Sequence, residues 1–305
     1  MDIPKAYLNG QILPISEMAL PVTDAGFVLG TSVTEQMRTF SGKLFEIDSH
    51  LQRLAQSLQI VGIQPRETPD EIKQIAIELV ANNYRLLDPQ DDLGLSLFIT
   101  PGTLSRFGEP ASDLPCVGLH TFPLPFGMWK EKYQTGQSLV ITHVEQVSSR
   151  CWPAELKCRS RMHYYLADQA AHKIEEGARA LLLDSAGQVI ETSTANILIY
   201  KAGRGISTPP EDAALAGISL LYLEQLTKEL GIPWRHRSLV VEEVLEADEV
   251  FLSSTPFGLL PVTRLNGQAI GQGKPGPLFH QLIAHWSEQV GVDLIAQARR
   301  FAKRA

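Results

Sequence analysis

The 305-residue chain has little cysteine. Its three cysteines, Cys116, Cys151 and Cys158, are odd in number and form no Cys-x-x-Cys pair, so neither a disulfide framework nor a zinc knuckle is expected. Free thiols suit a reducing cytoplasm. There is no run of about 18 apolar residues, hence no expected membrane span. The first ten residues, MDIPKAYLNG, hold no apolar stretch behind a basic start, and no secretory leader is expected there. Basic residues are outnumbered, 27 Lys and Arg against 34 Asp and Glu, giving a net charge of −7. That balance argues against non-specific binding to nucleic acid or to a membrane surface. GxxxxGK[ST], HExxH and GxSxG are all missing. The eight histidines are scattered, and no metal is expected.

The remaining composition, 44% hydrophobic and 20% charged, is that of a globular protein. The length suits two domains better than one core. Asn9-Gly10 between Tyr7-Leu8 and Ile12-Leu13 reads as a tight hairpin, since both turn positions need positive φ. Ser32 to Phe40 reads as a strand, and Ser41-Gly42-Lys43 as a second hairpin turn. Leu51, Leu54, Leu58 and Val61 recur at helical spacing, which predicts a helix from His50 to Ile63 with Ser49 as its N-cap. A second helix is expected from Pro69 to Asn83, with strands near Leu95–Thr100 and Val117–Thr121. Residues 1–122 are expected to form a small N-terminal domain and 137–305 a larger one. The Pro- and Gly-bearing stretch 123–136 reads as a linker between them. In the second half, strands at Ser138–His143, Ala180–Asp184, Ile197–Tyr200 and Glu249–Ser253 mix with helices at Ser160–Glu176, Ile218–Leu230 and Gly276–Val290. The mixture implies an α+β protein.

Four segments could carry chemistry. Lys157, in Ala154-Glu155-Leu156-Lys157-Cys158-Arg159-Ser160, stands before a predicted helix with Arg159 and Arg161 nearby. Local sequence leaves it either a solvated lysine or a Schiff-base lysine, whose amine needs desolvation or cationic neighbours to become neutral. Glu191 closes a strand–turn–strand unit, and a carboxylate there could face a pyridine nitrogen or simply be exposed. Ala216-Gly217-Ile218-Ser219 opens a helix, whose free N–H groups favour an anion. Leu252-Ser253-Ser254-Thr255-Pro256 is a hydroxyl-rich turn.

In this order the segments resemble the class IV (fold type IV) pyridoxal-phosphate enzymes: branched-chain aminotransferases, D-amino-acid aminotransferases and aminodeoxychorismate lyase. The resemblance runs from Tyr7-Leu8-Asn9-Gly10 through Gly30-Thr31-Ser32-Val33-Thr34-Glu35 and His50-Leu51-Gln52-Arg53-Leu54. It continues through the lysine segment, Glu191-Thr192-Ser193-Thr194-Ala195-Asn196, Leu215-Ala216-Gly217-Ile218 and Ala247-Asp248-Glu249-Val250-Phe251-Leu252 to Pro261-Val262 and Gly276-Pro277. It implies a two-domain fold: a smaller N-terminal α/β domain and a larger C-terminal α+β pseudo-barrel domain that binds pyridoxal 5'-phosphate. It further implies that Lys157 is the Schiff-base lysine and proton shuttle, and that Glu191 pairs with the pyridine nitrogen. Arg53, Ile218, Ser219 and Thr255 match the phosphate ligands, and Leu215 the apolar residue under the ring. The implied activity is transfer of an amino group between an amino acid and a 2-oxo acid, in a cytoplasmic homodimer.

Substrate signals diverge. Gly30-Thr31-Ser32-Val33 followed by Arg38 resembles branched-chain aminotransferases, yet Thr34 replaces their aromatic residue. The strand Leu95-Ser96-Leu97-Phe98-Ile99 also lacks their tyrosine and arginine. Thr100-Pro101-Gly102-Thr103-Leu104-Ser105-Arg106 resembles the D-amino-acid enzymes, with Gly108 in place of a histidine. Pro256 removes an N–H that relatives offer to the substrate carboxylate. The substrate residues expected on this basis are Thr34, Arg38 and Arg106. Branched-chain transamination is the leading expectation, with D-amino-acid transamination or aminodeoxychorismate lyase as alternatives. A non-catalytic cofactor binder would have no use for Lys157 and Glu191 together.

Overall fold

A computed structural model describes residues 3–104 and 114–303. The chain divides into two compact units, one of residues 1–124 with 156–160, the other of residues 125–155 with 161–305. No helix among the described residues is long and apolar enough to cross a membrane.

The first unit is a six-stranded sheet under two helices. Strands β1 (Lys5–Leu8) and β2 (Gln11–Pro14) form the expected hairpin, with Asn9 at φ 49° and Gly10 at φ 87°. A single helical turn, α1 (Ala25–Val28), precedes β3 (Val33–Phe40) and its short hairpin partner β4 (Lys43–Leu44). Then come α2 (Ile47–Val61), α3 (Pro69–Tyr84), β5 (Leu93–Thr100) and β6 (Cys116–Pro123). The strand order is β2-β1-β6-β5-β3-β4. Leu51, Leu54 and Leu58 of α2 and Ile72, Ala76, Leu79 and Val80 of α3 bury against Val33, Met37, Leu95, Leu97, Ile99, Val117 and Leu119 of the sheet. Removing each of the leucine, isoleucine, valine and methionine side chains from water contributes about 1.5–3 kcal/mol. Helix α3 starts where its signals place it: Thr68 and Glu71 form a reciprocal capping box around Pro69. Helix α2 begins three residues earlier than its periodicity implies. Ser49 is not its N-cap; Glu46 is, in the left-handed region at φ 50°, and the Ser49 hydroxyl donates to the Glu46 carboxylate.

The second unit begins at Pro125, inside the 123–136 stretch read as a linker, and helical turns form within that stretch. A 3-10 turn at Phe126–Met128 and helix α4 (Lys132–Thr135) bury Phe126, Trp129 and Tyr133. The Tyr133 hydroxyl donates to the Phe257 carbonyl at 2.7 Å. Three aromatics in a polar stretch were the signal that it packs. Next come β7 (Gln137–Ile141), α5 (Met162–Ile174), β8 (Arg179–Leu183), β9 (Val189–Thr192), β10 (Ala195–Lys201) and β11 (Gly205–Thr208). They are followed by α6 (Ile218–Glu229), β12 (Trp234–His236), α7 (Val241–Leu245), β13 (Glu249–Ser254), β14 (Gly258–Leu265) and β15 (Gln268–Ala269). Helices α8 (Pro277–Val290) and α9 (Leu294–Phe301) complete it. Strands β10-β13-β14-β7-β8-β9 run in that order and β9 pairs again with β10, so the six close on themselves as a barrel. Closure leaves those strands without open edges.

Candidate active site

In the first unit the lysine segment completes an edge of β3. Strand β4 reaches only Thr39 and Phe40. Nearer its start, β3 is bridged by Cys158, which pairs antiparallel with Val33. The Thr34 N–H donates to the Lys157 carbonyl at 3.0 Å and the Arg159 N–H to the Ser32 carbonyl at 3.1 Å. The Lys157 N–H reaches the Ser57 hydroxyl of α2 at 3.2 Å. Polar backbone groups that would otherwise stay unpaired are thus used to fix the lysine's place. Its half-buried position supplies part of the desolvation that an amine nucleophile needs.

Strand alternation sends Thr34 to one face and Glu35 to the other. The Thr34 hydroxyl donates to the Leu97 carbonyl at 2.8 Å. Glu35, fully buried, takes Nε and Nη2 of Arg53, each at 2.8 Å, and Nδ1 of His50 at 2.7 Å. Burial pushes the Glu35 carboxyl up, but the Arg53 charge and hydrogen bonds, with help from His50, outweigh it and hold it at about 2. Burial lowers the His50 pKa against the pull of Glu35, so the ring stays neutral and donates from Nδ1. The structure therefore brings Lys157, Thr34 and Arg53 onto one β3–α2 frame.

Arg38 is not part of that group. It is 1% exposed at the far end of β3, donating from Nε to the Thr39 carbonyl and lying over the Phe40 ring. Its Nη2 is 4.0 Å from Asp92, which also accepts from the Thr39 hydroxyl and the Gly42 N–H. Arg38, expected at the substrate, thus has Asp92, Thr39 and Phe40 of the β3–β4 turn region as neighbours. Arg106 and Gly108 lie outside the described residues.

In the second unit the barrel register aligns the remaining residues. Glu191 on β9 pairs with Asn196 on β10, and Asn196 pairs with Ser253 on β13. Directly opposed residues of neighbouring antiparallel strands share a face, so these three side chains form a row. Glu191 is buried. Its Oε1 accepts from the Gln146 amide at 2.7 Å and from the Tyr164 hydroxyl of α5. Burial, then the Glu191 charge and hydrogen bond, raise the Tyr164 pKa well above its ordinary value, so it donates as a neutral phenol. Asn196 donates to the Leu215 carbonyl at 2.7 Å, drawing the segment before α6 against the barrel. Gly217 sits so close that an added Cβ would lie 2.1 Å from Asn196 Oδ1, which only glycine avoids.

Helix α6 starts at Ile218 with no side-chain cap at Gly217, leaving its first N–H groups for another acceptor. The hydroxyls of Ser219 and Ser253 are buried and have no hydrogen-bond partner among the described residues. Thr255 is half-buried in the turn between β13 and β14. Uncapped helix N–H groups and two orphaned hydroxyls form the donor set a phosphate monoester requires. A buried carboxylate on the row with Ser253 suits a protonated ring nitrogen. Leu215, Ile218, Ser219 and Glu191 are thus brought together through Asn196. The residues not singled out from sequence are Glu35, His50, Ser57, Gln146, Tyr164 and Asn196. An acid inside a buried strand was the available signal for Glu35. Gln146 and Tyr164 carried none.

The class IV aminotransferase family model matches residues 32–265. The chain belongs to the class IV aminotransferases. D-alanine aminotransferase of Bacillus licheniformis is 32% identical over 275 residues, covering 90% of this chain and 93% of that protein. Its counterpart in Staphylococcus aureus (strain N315) is 26% identical, covering 91% and 95%. Among solved structures, branched-chain amino acid aminotransferase from Escherichia coli aligns with a TM-score of 0.81 at 24% identity, covering 97% and 96%. A T.th. branched-chain amino acid aminotransferase with pyridoxamine 5'-phosphate aligns at 0.83 and 21%, covering 95% of each. This class IV chain has the fold type IV architecture, with the sheet barrel as its second unit. It is an aminotransferase, and the cofactor of its class is pyridoxal 5'-phosphate.

Proposed function

We propose that this aminotransferase exchanges the amino group of a small D-amino acid, of the D-alanine type, with a 2-oxo acid. The observation that carries the reading is the 32% identity to a D-alanine aminotransferase across nine-tenths of the chain. The burial of Arg38 beside Asp92 supports this reading over one that uses Arg38 for branched-chain substrates. Branched-chain L-amino acids form the second reading, favoured by Gly30-Thr31-Ser32-Val33.

Pyridoxal phosphate supplies an electron-accepting ring that acidifies the substrate Cα–H. In this reading Lys157 holds the cofactor covalently, and its amine carries the proton to and from Cα. Glu191 keeps the ring nitrogen protonated, with Tyr164 and Gln146 fixing one carboxylate oxygen. Arg53, the Ile218 N–H, Ser219 and Thr255 bind the phosphate, and Leu215 packs under the ring. Thr34, beside Lys157, borders the substrate, and Arg106 takes its carboxylate. The active enzyme is a cytoplasmic homodimer.

The test is a donor screen. Purified enzyme with pyridoxal phosphate is offered D- and L-alanine and D- and L-leucine against 2-oxoglutarate and pyruvate, and products are resolved by chirality. D-alanine should exceed L-leucine in kcat/KM by about a hundredfold. Preference for L-leucine establishes the second reading instead. Pyruvate release from aminodeoxychorismate without amino transfer marks a lyase.

A further inference from the structure

The residue that best explains how Arg53 is aimed is an acid that lies entirely inside the protein. Glu35 pairs side-on with the guanidinium. Its Oε1 meets Nε and its Oε2 meets Nη2, both at 2.8 Å, and Oε2 also takes His50 Nδ1 at 2.7 Å. A planar guanidinium pinned along its Nε–Nη2 edge has the direction of its remaining Nη1–Nη2 fork fixed as well. Arg53 and His50 lie three residues apart on α2, so they project from one helix face onto the same carboxylate of β3. One turn further along α2, Ser57 receives the Lys157 N–H, and Thr34, next to Glu35, donates to the Lys157 carbonyl. The arginine fork and the lysine backbone are therefore referenced to the same strand and helix.

Electrostatics alone would not put this acid here. A carboxylate beside an anion-binding arginine offsets that arginine's charge and weakens its attraction for phosphate. What the side-on pair supplies is direction.

We propose that Glu35, braced by His50, is a positioning residue that turns the outer fork of Arg53 onto the cofactor phosphate. The proposal rests on the reading in which Arg53 binds that phosphate. Glu35 touches neither cofactor nor substrate; it acts through Arg53.

The experiment compares two ligands of the cofactor-free enzyme: pyridoxal 5'-phosphate, and pyridoxal, which lacks the phosphate. Dissociation constants are measured for wild type, Glu35→Gln, Glu35→Asp and Arg53→Ala, with melting curves showing which variants fold. Wild type should prefer the phosphorylated ligand strongly, and Arg53→Ala should lose most of that preference. Glu35→Gln and Glu35→Asp should each reduce it on the order of tenfold, with the pyridoxal constant within about twofold of wild type. Glu35→Asp keeps the charge and withdraws the acceptors by one methylene, so it decides the matter if Glu35→Gln does not fold. Tighter binding of the phosphorylated ligand by Glu35→Gln would mean that Glu35 is only an opposing charge, and an unchanged preference in both variants would mean that it aims nothing. Either result overturns the proposal while leaving Arg53 in place. An unchanged preference in Arg53→Ala would instead overturn the reading of Arg53 itself.

Discussion

The backbone N–H of Thr34 donates to the carbonyl oxygen of Lys157 at 3.0 Å, so the lysine is held by a strand edge and not by a loop of its own. The second anchor is the Ser57 hydroxyl. Ser57→Ala leaves the Lys157 N–H without that acceptor, at a cost of about 1 kcal/mol. Amide exchange at Lys157 should accelerate roughly fivefold and kcat should fall, with the melting temperature little changed. Unaltered exchange would show that the strand alone suffices.

Tyr164 and Gln146 donate to the same oxygen of Glu191. Hydrogen bonds to a carboxylate favour its charged form. Tyr164→Phe should therefore make Glu191 a better proton acceptor and draw the proton away from the cofactor ring. The expected result is a fall in kcat of about tenfold with KM nearly constant, and a shifted pH titration of the bound cofactor's visible absorbance. A loss of melting temperature with unchanged kcat and titration would mean that Tyr164 only packs.

Glu35 also makes stability depend on pH. Its carboxyl lies at about 2 in the folded protein against an ordinary 4.5. A folded-state value below the unfolded one stabilises the fold above the unfolded value, and that contribution is lost as pH falls towards the folded one. Denaturant unfolding should show a loss of about 3 kcal/mol between pH 4.5 and 2 from this group. In Glu35→Gln that component of the slope should vanish. The same slope in both proteins would assign it to other carboxylates.

Asp92 ties Arg38, Thr39 and Gly42 into the β3–β4 turn. Asp92→Asn should destabilise the protein by about 2–4 kcal/mol in thermal or denaturant melts, since it leaves Arg38 as a buried charge with its acid neutralised. The ratio of kcat/KM for an amino acid to that for the matching amine should stay the same. A collapse of that ratio would return Arg38 to the substrate.

Period and turn chemistry made much of the fold legible. Asn9-Gly10 announced a hairpin, Thr68-Pro69 with Glu71 a helix start, and Leu51, Leu54 and Leu58 a buried helix face. Local signals failed where long-range partners decide. Glu46 caps α2 from a left-handed conformation that nothing nearby requires, and Phe126, Trp129 and Tyr133 are buried in a stretch whose prolines and glycines suggested a linker. In the candidate site, Lys157 and Glu191 were singled out by the order of motifs. Their supports were not. Gln146 and Tyr164 reach Glu191 from 45 and 27 residues away, and Ser57 reaches Lys157 from 100, separations at which no sequence period operates.

The most direct test is to trap the cofactor on the enzyme. Holoenzyme is reduced with borohydride and digested, and the modified peptide is sequenced by mass spectrometry. The pyridoxyl group should sit on Lys157 alone, and Lys157→Ala should fold, stay colourless and transfer no amino groups. A label on any other lysine, or an active Lys157→Ala enzyme, would contradict the account.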